Sequence, residues 1–161
     1  METKTYSIVT QTCTLNELND EIKQLIECAK QACLSSYAPY SQFNVGASVL
    51  LQNGIIVSGN NQENIAYPSG LCAERVALFY ANAQHPDQSV KAIAIAAYTK
   101  DEFTEIPISP CGSCRQALLE AENRFDQHIV CYLYGKNNVT IFQKIKDLLP
   151  FCFEFEGLKV K

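Results

Sequence analysis

The chain has 161 residues, 47% of them hydrophobic, and a formal net charge of −4. This is enough for one core, so we expect a single domain over residues 1–161, with 1–13 as a flexible N-terminal segment. The acidic balance and scattered basic residues exclude a polynucleotide surface, and no apolar run suits a secretion signal or a membrane span, so we expect a cytoplasmic protein without nucleic-acid or membrane partners.

The first third of the chain predicts a helix followed by a hairpin. Thr14 and Glu17 have the spacing of a capping box, and apolar residues then recur every three or four positions, which predicts a helix over 15–35. Pro39 ends this pattern. Two apolar runs, 45–51 and 55–58, flank Asn53-Gly54, a dipeptide that favours a type I′ turn.

The rest of the chain alternates helices and strands. A polar loop over 60–70 leads to a helix that begins at Cys72 and ends near Gln84, and the almost continuous apolar run 90–98 predicts a central strand buried on both faces. Further elements are predicted as a helix over 111–122, strands over 128–134 and 139–142, and a short helix over 144–149. This order predicts an α/β fold, a mixed β-sheet with helices on both faces.

Two short clusters carry the candidate chemistry. Cys72 opens the sequence Cys-Ala-Glu-Arg, and Cys111 and Cys114 lie in Pro-Cys-Gly-Ser-Cys-Arg. Each cluster starts a predicted helix, where the helix dipole favours thiolate. Three protein ligands would leave zinc one open position for water, as in catalytic rather than structural sites. The spacing therefore predicts metal-assisted hydrolysis.

The residues beside these cysteines have candidate roles. Glu74 is close enough to accept a proton from water at the open position without becoming a ligand. Arg75 and Arg115 could offset the charge of three thiolates, and we expect Arg75 to do most of this charge tuning. A structural role for Arg115 stays equally open.

The cysteines and histidines also have simpler interpretations. A Cys-x-x-Cys pair alone could be redox-active or simply buried. Only its combination with Cys-Ala-Glu is a specific signal for a metal site. The remaining five cysteines and both histidines lie in no metal-like spacing, and we expect them to be ordinary core or surface residues. They are Cys13, Cys28, Cys33, Cys131, Cys152, His85 and His128.

At these residues the chain resembles the small, homotetrameric, three-cysteine class of zinc cytidine deaminases. The likeness covers roughly residues 20 to 153. Besides the two cysteine clusters, it rests on three segments: residues 37–47 (Tyr-Ala-Pro-Tyr-Ser-Gln-Phe-Asn-Val-Gly-Ala), residues 59–67 (Gly-Asn-Asn-Gln-Glu-Asn-Ile-Ala-Tyr) and Leu148-Leu149-Pro150. The resemblance implies one Zn²⁺ per subunit, a three-layer α/β/α fold and active sites shared between subunits of a homotetramer.

The resemblance also implies roles for individual residues. Phe43 would pack near the pyrimidine, Asn61 and Glu63 would hydrogen-bond the ribose hydroxyl, and the peptide N–H of Ala73 would meet the base carbonyl. Phe153 of a neighbouring subunit would close over the base, with Phe151 as a competitor for that position. These substrate-binding roles have simpler alternatives. Asn61 and Glu63 could belong to an ordinary polar turn, and Phe43 could be a core residue.

The implied reaction is hydrolytic deamination of cytidine and 2′-deoxycytidine, in pyrimidine salvage, with release of ammonia. Glu74 would take a proton from water, protonate ring nitrogen 3 and help to pass a proton to the leaving amine while hydroxide attacks carbon 4. A deaminase of a nucleoside antibiotic such as blasticidin shares the zinc residues and is one alternative. A non-enzymatic zinc module, with four protein ligands, is another.

Overall fold

The computed structural model describes residues 1–153. Its three α-helices and seven strands alternate along most of the chain, and single 3₁₀ turns lie at Leu15–Glu17, Tyr67–Ser69 and Ile145–Leu148. In chain order the elements are β1 (Gln11–Cys13), α1 (Asp20–Cys33), β2 (Asn44–Leu51), β3 (Ile56–Asn60), α2 (Ala73–Gln84), β4 (Val90–Thr99), β5 (Glu102–Phe103), α3 (Gly112–Phe125), β6 (Val130–Tyr134) and β7 (Val139–Phe142).

All seven strands belong to one mixed sheet with the order β1-β7-β6-β4-β2-β3, and β5 pairs with the end of β4. Strands β4 and β6 are parallel, and the other neighbours are antiparallel. The predicted central strand is confirmed, because β4 lies between β2 and β6. None of the helices within residues 1–153 is long and apolar enough to span a membrane.

The alternation of side chains along β4 explains the three layers. Ile93 and Ile95 face a core that includes α2 and α3, whereas Ala92 and Ala94 face a second core formed with α1. Because a strand directs successive side chains to opposite faces, covering both faces requires apolar residues at successive positions, as β4 has from Ala92 to Ala97. The predicted fold with helices on both faces of a mixed sheet is confirmed.

The first helix begins later than predicted. The carboxylate of Glu17 accepts a hydrogen bond from the Thr14 N–H at 2.7 Å, so the capping box is present, but it closes only a 3₁₀ turn. Asn19 then caps α1 by accepting from the Ile22 N–H at 3.0 Å. A second strong N-cap therefore separates the turn from the helix.

The hairpin between β2 and β3 is confirmed, but the predicted type I′ turn is wrong. That turn needs positive φ at both central residues, and of the dipeptide only Gly54 has it, at +84°. The Leu51 N–H donates to Ile55 O at 2.9 Å across a loop of three residues. The Asn53 side chain instead accepts from the Ile55 N–H at 3.1 Å, which stabilises the longer loop.

Three features near the termini and edges differ from the predicted elements. Strand β1 lies inside the segment predicted to be flexible and pairs antiparallel with β7, and β5 was not predicted at all. The predicted helix over 144–149 is a 3₁₀ turn at Ile145–Leu148. Pro150 follows closely, which leaves no room for a regular helix.

Candidate metal centre and active site

The topology brings the two cysteine clusters together. Helices α2 and α3 directly precede the parallel neighbours β4 and β6 and cover the same face of the sheet. Each of these helices leads back to the start of the next strand, so it begins near the carboxyl ends of the strands. The N-termini of α2 and α3 therefore lie close together at that end of the sheet. Cys72 is the N-cap of α2, and Cys111 is the N-cap of α3.

The three sulfur atoms have the spacing of a zinc site. The Cys72 and Cys111 sulfurs are 3.8 Å apart, the Cys111 and Cys114 sulfurs are 3.4 Å apart, and all three lie within 4.8 Å of one another. Tetrahedral zinc with bonds of about 2.3 Å to sulfur separates its ligands by about 3.8 Å. Within residues 1–153 no fourth His, Cys, Asp or Glu joins this group, so the three thiolates fit zinc with one open position.

The neighbouring side chains favour negative charge on Cys72. The adjacent Cys114 thiol, and after it the Arg75 guanidinium, lower the pKa of the Cys72 thiol to about 5. The same contact, together with burial, raises the pKa of the Cys114 thiol. Arg75 Nη2 lies 3.9 Å from the Cys72 sulfur, so the predicted pairing of Arg75 with a thiolate has a geometric basis.

Glu74 lies in the first turn of α2 and is only 4% exposed. Burial, and then the negative charge of Cys72, raise the pKa of the Glu74 carboxyl above its usual range. A carboxyl with raised pKa is suited to take up and return a proton near neutral pH. Glu74 also lines the cavity beside the cysteines, where that proton could be exchanged with a bound molecule.

A cavity of about 670 Å³ opens beside the sulfur cluster. Such a volume is typical of small-molecule sites. Most of the site residues expected from the sequence line it, together with two of the three cysteines. These are Phe43, Asn61, Glu63, Cys72, Ala73, Glu74, Arg75 and Cys111.

Asn61 and Glu63 are already partly engaged with the backbone. Asn61 accepts from the Val45 N–H at 2.8 Å and donates to Phe43 O at 2.9 Å. Glu63 accepts from the Tyr40 N–H at 2.9 Å and from both the N–H and the hydroxyl of Ser41. An amide has two donors and two lone pairs, and a carboxylate about four acceptor positions, so each side chain retains capacity for a ligand hydroxyl.

Two of the residues discussed from the sequence lie elsewhere. Phe153 does not line the cavity of its own chain, and its side chain is exposed. Arg115 donates to Pro110 O at 2.8 Å and to Leu148 O at 2.9 Å. Of its two candidate roles, the structure therefore favours the structural one.

Several cavity residues were not identified from the sequence. Tyr40 and Ser41 were interpreted only as part of a helix-breaking segment, although they hold Glu63 in place. The loop before Pro110, which contributes Ile108 and Ser109 to the cavity, was given no role. The resemblance of residues 37–47 and 59–67, taken as whole segments, could have identified those members of the set that lie within them. The cavity residues missed in this way are Tyr40, Ser41, Val45, Gln62, Asn64, Tyr67, Gly70, Leu71, Ile95, Ile108 and Ser109.

Comparison with known proteins agrees with this geometry. Residues 19–132 match the family described as "Cytidine and deoxycytidylate deaminase zinc-binding region", a stretch that includes all three cysteines and Glu74. The chain belongs to this deaminase family. The family is zinc-binding, and the three cysteine sulfurs are a group that could hold the metal. Membership makes the chain a hydrolytic deaminase.

Individual members of the deaminase family cover most of the chain. A cytidine deaminase from Sporosarcina psychrophila is 40% identical over 138 residues, which are 86% of this chain and 95% of the relative. A cytidine deaminase from Halalkalibacterium halodurans is 44% identical over 137 residues, 84% of this chain and 96% of the relative. Both relatives are matched across nearly their whole length.

Solved structures of family members share the fold. The crystal structure of cytidine deaminase from Burkholderia pseudomallei has a TM-score of 0.70 at 37% identity and covers 81% of this chain and 98% of its own. The cytidine deaminase structure from Mycobacterium tuberculosis has a TM-score of 0.67 at 29% identity and covers 85% of this chain and 100% of its own. The predicted cytidine-deaminase-like architecture is confirmed.

Proposed function

We propose that the chain catalyses zinc-dependent hydrolytic deamination of cytidine and 2′-deoxycytidine to the uridines and ammonia. The observation that carries this function is the buried carboxyl of Glu74, which lines the cavity beside three converging cysteine sulfurs. Related chains at 40% and 44% identity are cytidine deaminases, which favours the nucleoside over an antibiotic analogue.

The proposed mechanism assigns the proton transfers to Glu74. Cys72, Cys111 and Cys114 would hold the zinc, which would lower the pKa of a water molecule at its open position toward about 7. Glu74 takes up a proton from water and delivers it to ring nitrogen 3, while the resulting hydroxide adds to carbon 4. Glu74 then takes the proton of the new hydroxyl group on carbon 4 and passes it to the amine, which leaves as ammonia as the carbonyl forms. The low exposure of Glu74 keeps bulk water from competing for the proton while it is held. Arg75 offsets the negative charge of the three thiolates through Cys72.

The other cavity residues bind and orient the nucleoside. Ala73 is the first residue of α2, and the first N–H groups of a helix have no partner within it, so the Ala73 N–H is available to the base carbonyl. Phe43 packs on the pyrimidine. Asn61 and Glu63 use their remaining hydrogen-bonding positions for the ribose hydroxyl.

We further propose a homotetramer whose sites are shared, with Phe153 of a neighbouring subunit over the base. Large apolar side chains stand exposed around the cavity, among them Ile65 at 81% and Tyr67 at 83%, as expected of a surface that another subunit covers. Residues 1–161 would form one catalytic domain. None of the eight cysteines, all of which lie within residues 1–153, forms a disulfide, which supports a reducing, cytoplasmic compartment. The role we propose there, from the substrates, is pyrimidine salvage.

The decisive test follows the ultraviolet absorbance of cytidine, 2′-deoxycytidine, cytosine and a cytidine nucleotide with purified protein. We expect turnover of the two nucleosides and little of the base or nucleotide. Glu74→Gln should retain zinc and lose at least about a thousandfold in kcat, because the general acid and base are removed together. Glu120→Gln, an exposed change on α3, is the matched control.

Full activity of Glu74→Gln would refute the mechanism, and failure of the wild-type protein to deaminate either nucleoside would refute the function. Sedimentation of the zinc-loaded protein tests the tetramer separately. A monomer with full activity would contradict the shared sites.

A further inference from the structure

Gln116, the residue that follows the second cysteine cluster, makes a pair of contacts that the proposed chemistry does not use. Its side-chain nitrogen donates to Phe153 O at 3.1 Å, and its side-chain oxygen accepts from the Phe153 N–H at 3.2 Å. One primary amide thus satisfies both backbone groups of one residue, as a neighbouring β-strand would. Such a two-point contact restrains the orientation of Phe153 as well as its position.

The Gln116 contact is the last of several hydrogen bonds that join α3 to residues 145–153. Glu122 accepts from the Ile145 N–H at 2.8 Å, and Arg115 donates to Leu148 O at 2.9 Å. These two contacts hold the first half of the segment. The Gln116 contact holds residue 153 to the same helix whose N-terminus carries Cys111 and Cys114.

The backbone of Phe153 is held in place, whereas its ring is exposed. Its backbone is fixed by two hydrogen bonds, yet the residue is 76% exposed and lies outside the cavity of its own chain. The ring therefore gains little from burial within the chain. Fixing the backbone of an aromatic group before it binds lowers the entropy lost on binding. The geometry suits presentation of the ring to another molecule.

We propose that Gln116 is a positioning residue that presents Phe153 to the active-site cavity of a second copy of the chain. The inference rests on the proposed function, in which Phe153 closes a neighbouring site. Gln116 touches neither substrate nor metal. It raises the fraction of chains in which Phe153 is placed for closure, and apparent affinity for the substrate rises in proportion to that fraction.

The test compares three variants at matched zinc content. Gln116→Ala removes both contacts. Gln116→Glu keeps the size and the acceptor for the Phe153 N–H but sets a carboxylate oxygen against Phe153 O. Glu120→Ala changes an exposed residue one turn further along α3 and is the control.

We expect Gln116→Ala to raise hydrogen exchange in peptides that contain residues 150–153, with the α3 peptides unchanged. Its kcat/KM for cytidine should fall roughly tenfold, mainly through KM, since both hydrogen bonds to Phe153 are lost. Gln116→Glu should lie between the wild type and Gln116→Ala, and Glu120→Ala should match the wild type. If Gln116→Ala does not fold, Gln116→Glu supports the same comparison.

A double-mutant cycle with Phe153→Ala separates positioning from a general effect on α3. If Gln116 acts through Phe153, the change Gln116→Ala costs little once the ring is absent. An equal loss in both backgrounds, or unchanged exchange at residues 150–153, would overturn the proposal. A wild-type protein without activity on cytidine would refute the proposed function instead, and the exchange comparison would still decide whether Gln116 holds residue 153.

Discussion

Glu122 offers a quantitative test of how α3 is held against the sheet. It is 5% exposed, and a single carboxylate oxygen accepts from the Ile129 N–H at 2.9 Å and from the Ile145 N–H at 2.8 Å. These residues lie just before β6 and at the start of the last 3₁₀ turn. One buried acceptor therefore ties three parts of the chain together.

The expected loss of stability follows from these two bonds. Hydrogen bonds to a charged group contribute about 1.5–3 kcal/mol each, so Glu122→Ala should lower the free energy of unfolding by about 3–5 kcal/mol. In Glu122→Gln the amide oxygen can still accept both bonds, because both use the same oxygen position. Glu122→Gln should therefore lower the free energy of unfolding by only about 1–2 kcal/mol, because a neutral acceptor replaces a charged one.

Urea unfolding followed by circular dichroism measures both losses, at fixed protein and zinc concentrations because binding equilibria shift the midpoint. With a slope of about 2 kcal/mol per molar urea, Glu122→Ala should lower the midpoint by roughly 2 M. Glu120→Ala, exposed on the same helix, should leave it almost unchanged. Equal midpoints for Glu122→Ala and Glu120→Ala would refute the assigned role, as would equal losses for the Ala and Gln variants of Glu122.

Three further predictions concern the metal and the helix that carries Glu74. Arg75→Gln should weaken zinc retention in a chelator competition by about tenfold and lower turnover, because Cys72 loses its cationic partner. Gly59→Ala should cost about 1–3 kcal/mol of stability, measured by thermal unfolding, since an added Cβ would meet Ala77 N at 2.5 Å. Removal of zinc by dipicolinate should abolish deamination, and zinc but not magnesium should restore it, because thiolates prefer zinc.

Each of these predictions has a control or a contradicting result. Gly112→Ala adds a Cβ with nothing within 4 Å, so its stability should match or exceed that of the wild type. Unchanged zinc retention and turnover in Arg75→Gln would remove the charge-tuning role. Deamination that persists after measured loss of zinc would contradict a metal-dependent reaction.

The parts of the site that were predictable are those whose signals are local. Cys72, Glu74, Cys111 and Cys114 lie within short motifs at helix N-termini, and the start of a helix already determines which way its first residues face. Burial of β4 on both faces could likewise be predicted from its own apolar run, without knowing which strands lie beside it. The metal-centre geometry therefore followed from spacing and helix position.

The parts that were missed depend on contacts between distant residues. Strand β1 has three residues without marked alternation and exists because it pairs with β7, about 130 residues later in the chain. The contact between Gln116 and Phe153 is made to backbone groups, which leave no trace in residue identity. The predicted turn type was wrong because the Asn53 side chain accepts a hydrogen bond from the Ile55 N–H. The Asn-Gly dipeptide alone does not determine that contact.

Convergence of the two helix N-termini also has a consequence for folding. Cys72 and Cys111 are 39 residues apart in sequence, so a zinc ion that holds both closes a loop of that length. A disulfide across such a loop stabilises a protein by about 4 kcal/mol in the chain-entropy view, because it restricts the unfolded ensemble. Zinc held by both thiolates would be a removable cross-link of the same kind, and the whole of β4 lies between its two attachment points.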